Sequence, residues 1–289
     1  MSYRITTDST CDLPRQFCIE RDIKIIGLSF LIDGQEYKEG SDSAISTEEF
    51  YNQLRAGKTS TTMQVNTYEF TEFAEPFLAA GEDVLHISFS SGLSGTYESC
   101  KRGAEELLEK YPDRKLIIID SLSASMGEGL LVWYADENRK NGMSIEENAA
   151  WIEDNKLYLC HWFTVNDLMH LHRGGRVSKA SAIMGSILGI KPILHVDNEG
   201  HLILKAKARG RGAAIDALVN KLKETAKDDI AEQMVFISHG DCLEDAEMLA
   251  DKLRKTVGIK QIIISNVGAV IGSHSGPGTL AIFFIGKHR

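Results

Sequence analysis

Apolar residues in the first half of the chain fall into short runs, separated by longer segments in which they recur every three to four positions. The runs predict strands near Tyr3 to Ile5, over Ile23 to Leu31, over Val84 to Phe89 and over Leu116 to Ile119. Between them, Phe70, Phe73, Phe77 and Leu78 recur at helical spacing, Tyr97 to Tyr111 reads as a second helix, and Gly129 to Glu153 as one long helix. Strands that alternate with helices predict a mainly parallel sheet covered on both faces. Asp33-Gly34 after a β-rich run predicts a hairpin turn.

The rhythm then changes. Tyr158 to Val165, Met234 to Ser238, Gln261 to Ser265 and Leu280 to Ile285 read as strands, with helices around Ala213 to Ala226 and Leu243 to Thr256. Asp197-Asn198-Glu199-Gly200, between two apolar runs, predicts a β-hairpin. Ala180 to Ile190 is almost continuously small or apolar and reads as a buried helix, a candidate lid. The fold class is therefore α/β with two domains: residues 1–155 as a parallel-sheet domain, and residues 156–289 as an α+β domain with helices on one face.

Polar residues cluster where the apolar runs stop. Thr6-Thr7-Asp8-Ser9-Thr10, Ser90-Ser91-Gly92-Leu93-Ser94-Gly95-Thr96 and Asp120-Ser121-Leu122-Ser123-Ala124-Ser125 each follow a strand, and Thr59-Ser60-Thr61-Thr62 reads as another hydroxyl-rich turn. Alone, the second is an ordinary turn with Ser94 as helix N-cap. Loops beyond the carboxyl ends of parallel strands, however, converge on one crevice. Helix starts and hydroxyls there would supply donors to a small anion. No lysine lies in the turn and the phosphate-cradle pattern G-x-x-x-x-G-K-[ST] is missing, so the donors suit a carboxylate better than a triphosphate.

Charge and cysteine content narrow the classes. The chain has 289 residues, 43% of them hydrophobic, and a net charge of −9, which disfavours nucleic acid as partner. Five scattered cysteines make no C-x-x-C pair, which suits a reducing compartment. No apolar stretch is as long as a membrane span. The expectation is a cytoplasmic protein without stable membrane insertion.

Enzyme signatures fit poorly. Asp8 and Asp12 are spaced wrongly for a phosphatase-type pair, and Asp12 before Leu13-Pro14 reads as a helix N-cap. Gly92-Leu93-Ser94-Gly95 misses the serine-hydrolase elbow by one position, and Gly127-Glu128-Gly129 lacks the third glycine of a dinucleotide fingerprint. His161, His170 and His172 have no carboxylate or cysteine at ligand spacing, so no metal is expected. A metal-dependent hydrolase using Asp8, Asp12 and Asp120 in the crevice is the alternative. Lys205, Lys207, Arg209 and Arg211 alternate with Leu204, Ala206 and Ala208, which puts the cations on one strand face, either solvated or facing an acidic partner. Gly276-Pro277-Gly278 predicts a rigid turn beside His274.

Taken together, Thr7 to Pro14, Ser90 to Tyr97, Asp120-Ser121, Leu171-His172-Arg173-Gly174-Gly175-Arg176-Val177-Ser178, Lys191-Pro192-Ile193-Leu194 and Gly272 to Gly278 resemble the DegV family, in order from the first strand to the last. The resemblance implies a long-chain fatty acid bound between two domains with its tail buried. It also implies a non-enzymatic role without a cofactor, presenting the ligand's carboxylate to a separate ATP-dependent fatty acid kinase for acyl-phosphate formation in phospholipid synthesis. The family's carboxylate contacts fall on Thr62, Ser94 and His274. Asp8, Ser91, Gly92 and Ser121 would support the crevice, and Arg176, Lys205, Lys207 and Arg209 would dock the kinase. One departure stands out: the family's Thr-Ser-Gln-Pro loop is here Thr62-Met63-Gln64-Val65, which alters the surroundings of the head group.

Overall fold

The computed structural model describes residues 3–41, 44–178 and 189–289. The expected lid helix over Ala180 to Ile190 lies almost wholly outside the described residues.

The first-half strands assemble as their apolar runs require. β1 (Tyr3–Asp8), β2 (Lys24–Ile26), β6 (Asp83–Ser88) and β7 (Leu116–Asp120) form a parallel sheet in the order β2-β1-β6-β7. One face is covered by α3 (Thr67–Ala79) and α4 (Thr96–Lys110), through Phe70, Ala74, Leu78, Cys100 and Leu107. The other is covered by α5 (Met126–Lys140) and α6 (Ile145–Asn155). The aromatic stripe of α3 is core material, with Phe70 edge-on to His86 at 5.0 Å.

Three expectations need correction. Ile23 to Leu31 is not one strand: the chain leaves the parallel sheet at Gly27, where a β-carbon would stand 2.1 Å from the Glu39 carbonyl oxygen. Beyond that close approach, β3 (Ser29–Ile32) pairs with β4 (Gln35–Lys38) across the expected Asp33-Gly34 turn, and with β5 (Ser60–Met63). Thr59-Ser60-Thr61-Thr62 is thus largely an edge strand of a three-stranded antiparallel sheet, not a turn after a parallel strand. Nor is Gly129 to Glu153 one helix. Gly142 takes a positive φ of 89°, and Ser144 with Glu147 forms a capping box that starts α6 afresh.

The second half builds a six-stranded mixed sheet in the order β10-β9-β8-β13-β11-β12. Its strands are β8 (Leu159–Thr164), β9 (Ile190–Val196), β10 (Leu202–Arg209), β11 (Met234–His239), β12 (Gln261–Asn266) and β13 (Leu280–Ile285). β9 and β10 make the expected hairpin. α8 (Arg211–Thr225) and α9 (Leu243–Val257) cover one face. The opposite face is not left open: it packs on α5, whose Met126, Leu130, Leu131 and Ala135 are buried. A helix apolar around most of its circumference must be enclosed, and α5 meets that need by lying between the two sheets. The remaining α-helices among the described residues are α1 (Arg15–Glu20), α2 (Thr47–Arg55), α7 (Leu168–Arg173) and α10 (Ala269–Ser275).

Candidate functional site

The site begins with the support of α10. Its first turn is held by two carboxylates from the first half: the Gly268 N–H donates to Asp12 Oδ1 at 2.8 Å, and the Val270 N–H to Glu39 Oε1 at 3.1 Å. Asp12 is therefore not the N-cap of α1 (Arg15–Glu20), which follows Pro14 directly. It sits at a left-handed φ of 53° and reaches across to the other domain. Tyr51 adds a bond from its hydroxyl to the Val267 carbonyl at 3.0 Å.

So supported, α10 aims His274 at β5, where its Nε2 lies 2.8 Å from Thr62 Oγ1. The other ring nitrogen faces Gly174, where a β-carbon would stand 2.1 Å from Nδ1. Burial lowers the His274 pKa to about 4, assisted by the Arg176 charge, so the ring is neutral at neutral pH. Ser94 lines the same polar recess as Thr62 and His274. Its Oγ accepts from the Thr96 N–H at 3.2 Å and lies 3.0 Å from Thr96 Oγ1. The three residues expected to contact a carboxylate thus meet, although they come from a strand, a loop and a helix.

The recess adjoins an apolar cavity of about 70 Å³, with which it shares Phe89, Arg176, Ile271 and His274. Phe89, Leu93, Phe163, Leu171, Ile271 and Phe283 supply much of its wall, while His274 and Arg176 border both spaces. The cavity lies between loops of the first domain and the α5-facing side of the six-stranded sheet.

The supporting residues divide. Asp8 is buried and accepts from the Phe89 N–H at 2.8 Å and the Thr10 N–H at 3.0 Å, which fixes the start of the Phe89–Ser94 loop. Ser121 is also buried, spanning its own turn by accepting from the Ser123 N–H at 3.1 Å. Gly92 does not line the recess. It abuts the β9–β10 turn, where a β-carbon would be 2.6 Å from the Glu199 carbonyl oxygen. Ser91 is exposed, with its N–H bonded to Asp120 Oδ1 at 3.1 Å.

The cations also part company. Arg176, expected on a docking face, turns inward: it donates from Nη2 to the Leu93 carbonyl at 2.9 Å and also bonds the Gly174 carbonyl. Lys205, Lys207 and Arg209 are exposed on β10, at one edge of the sheet. Arg211 leaves that row altogether and pairs with Asp245 at 2.9 Å.

Of the aspartates in the hydrolase alternative, Asp12 is engaged by Ser125 and Gly268, and Asp120 by backbone N–H groups of Ser91 and Leu122. His161 bonds Ser123, and His170 accepts from Arg173. Among the described residues, no group of three or more His, Cys, Asp or Glu is placed to hold a metal ion. No helix among them is long and apolar enough to cross a membrane. Sequence reasoning missed Gln64, whose amide lies over Gly95 and donates to Ser99 Oγ at 3.2 Å, and it missed the inward turn of Arg176. Gln64 stands just past the end of β5 at Met63, in a segment that reads as a turn, so no strand periodicity marked it.

Comparison with known proteins agrees with this architecture. The family model described as "Uncharacterised protein, DegV family" matches residues 2–287. A DegV domain-containing protein of Clostridium perfringens is 47% identical over 285 residues, covering 99% of this chain and 98% of the relative. Among solved structures, a Thermus thermophilus DegV-family protein described for its fatty acid binding superposes with a TM-score of 0.88 at 28% identity, covering 98% of this chain and 99% of that one. DegV of Bacillus subtilis, described as a fatty acid binding protein, gives a TM-score of 0.85 at 30% identity, with 99% and 100% covered.

Proposed function

The chain belongs to the DegV family, and from that premise we propose that it binds one long-chain fatty acid between a domain of residues 1–155 and one of residues 156–289. The tail lies in the apolar cavity, and the carboxylate is held by Thr62, Ser94 and His274. The chain carries out no chemistry itself. It presents the carboxylate to a separate ATP-dependent kinase in the cytoplasm, which forms the acyl phosphate used in lipid synthesis. The observation that carries this reading is the meeting of three hydroxyl and imidazole groups, from segments far apart in sequence, at the polar end of an apolar cavity. Arg176 adds a positive charge at that end.

Magnitudes support a division of labour. Burying about fourteen methylenes at ~0.8 kcal/mol each contributes roughly 11 kcal/mol as an upper figure. A charge-assisted hydrogen bond to the head contributes ~1.5–3 kcal/mol. The tail supplies most of the affinity, and the head contacts fix orientation, on which phosphoryl transfer depends.

The test is denaturing extraction of the purified protein followed by mass spectrometry, and then the same protein with its kinase. One fatty acid per chain is expected. A bound divalent ion without fatty acid would sink the reading in favour of the hydrolase. In Ser94→Ala and His274→Ala, occupancy should weaken by only ~1–3 kcal/mol, whereas acyl-phosphate formation should fall on the order of a hundredfold, because the head is free to tilt. A variant that leaves both quantities unchanged removes its residue from the head-group site.

A further inference from the structure

The far end of the apolar cavity is closed by one row of side chains across the six-stranded sheet. Antiparallel pairing sets Phe283 of β13 opposite His161 of β8, and Leu202 of β10 opposite Val196 of β9, and all four line the cavity. One row nearer the head group stand Ala281 and Phe163, again a pair. Thr279 lies two residues before Ala281, at the end that also holds His274 and Ser275. The wall therefore runs along β13 from Thr279 through Ala281 to Phe283. Ile285, the next residue on that face, and its partner Leu159 lie beyond the cavity.

Gly127 stands behind this end row, in the first turn of α5, without lining the cavity. A β-carbon there would be 2.5 Å from His161 Cδ2, 2.6 Å from His161 Nε2 and 2.9 Å from Phe283 Cδ1. Carbon atoms in good contact sit ~3.5–4.0 Å apart, so both rings would have to move. Nothing in the backbone asks for glycine. Gly127 is helical and has no positive φ, and alanine is the better helix former. The reason for glycine lies in what packs against it.

Those rings are firmly held. His161 and Phe283 are 1% and 2% exposed, packed edge to face with centroids 5.7 Å apart, and His161 Nε2 lies 2.9 Å from Ser123 Oγ. A close-packed interior has little slack. The empty space beside the pair is the cavity they line. Rings driven away from α5 can go only there.

The geometry points to Gly127 as a specificity-determining residue that sets the length of acyl chain the cavity accepts. Hydrogen at this position lets His161 and Phe283 lie back against α5; a methyl group drives them into the end of the cavity. The assignment rests on the cavity being the acyl site.

The experiment loads delipidated protein with an equimolar mixture of 14-, 16- and 18-carbon saturated fatty acids and measures the bound distribution by mass spectrometry. Each methylene that no longer fits costs roughly fourfold in affinity. In Gly127→Ala the 18- to 16-carbon ratio should therefore fall roughly fifteenfold from the wild-type value, by the same arithmetic for two methylenes. Adding Phe283→Leu to that variant should restore the ratio by returning the lost space. Wild-type protein that binds none of the three acids ends the fatty-acid reading itself. Wild-type protein that binds them while Gly127→Ala keeps the wild-type ratio ends only the assignment to Gly127. Should Gly127→Ala fail to fold, Phe283→Leu alone decides: a raised 18- to 16-carbon ratio supports the end wall, and an unchanged ratio overturns it.

Discussion

Proton counting at single residues locates an acid that the fold keeps neutral. Thr7 Oγ1 lies 2.8 Å from the Ile87 carbonyl oxygen and 2.7 Å from Glu128 Oε1. Thr10 Oγ1 lies 2.9 Å from Glu128 Oε2 and 2.5 Å from Asp8 Oδ1. Two hydroxyl protons thus face four oxygen contacts, and a proton on Glu128 supplies a third. Burial, reinforced by the Asp8 charge, pushes the Glu128 pKa well above the carboxylate range. A folded pKa above the unfolded one makes the group's contribution fullest at acid pH, below about 4.3, and lets it decline as pH rises toward the folded value, by ~1.4 kcal/mol per unit. Glu128→Gln keeps a donor for Thr7 and removes the titration. Its stability relative to wild type, from urea melts at pH 5 and pH 8, should rise between the two. Identical pH slopes would refute the neutral acid.

Among elements, β10 gives the plainest case of pattern becoming surface. Its outward residues Lys205, Lys207 and Arg209 are exposed, while Leu204, Ala206 and Ala208 are half-buried. Charges on an edge strand also discourage pairing with another chain's sheet, so the row has a use even without a partner. The docking proposal goes further. Reversing Lys205 and Lys207 to Glu should weaken kinase association, most at low salt, and leave fatty acid occupancy as it was. A matching fall in occupancy would mean that the row serves the site or the fold. Arg176 belongs outside this test because it borders the cavity. α10 shows the complementary case: seven residues too short to stand alone, held at one end by Asp12 and Glu39 and thereby able to aim His274.

For the whole molecule, the two sheets share α5 and are joined at their loops. Ser90 Oγ donates to the Gly200 carbonyl at 3.0 Å, and Ser125 Oγ links Asp12 to Ser238. Arg289 gathers the carbonyl oxygens of Leu122, Lys156, Leu159 and Asp197 at 2.7–3.1 Å. Burial lowers its pKa only to about 10, so it remains cationic at neutral pH. A ligand that fills the space between the sheets adds contacts that exist only in the folded state. Stripping the fatty acid should therefore lower the melting temperature, and re-addition at a hundredfold excess over Kd should restore ~2.7 kcal/mol. Calorimetry that finds equal melting temperatures with and without lipid would mean that the folded chain does not bind it.

Strands of both sheets, the Asp33-Gly34 and Asp197–Gly200 turns, and the family were legible in the chain, because apolar periodicity and turn chemistry are local and the motifs lie in sequence order. Ser144 and Glu147 have the spacing of a capping box, and the polar run Asp136 to Gly142 before them interrupts the apolar pattern, so the start of α6 was legible too, although the expectation was one helix. Other decisions were made at long range. Thr62 lies in a strand and not a turn because β3, about thirty residues earlier, offers it an edge. Asp12 serves α10 rather than α1 because folding brings Gly268 to it. Arg176 faces inward because the Leu93 carbonyl, 83 residues away in sequence, accepts its guanidinium. Local pattern determines which face of an element is apolar; only packing determines which partner that face, or a lone polar group at its end, will meet.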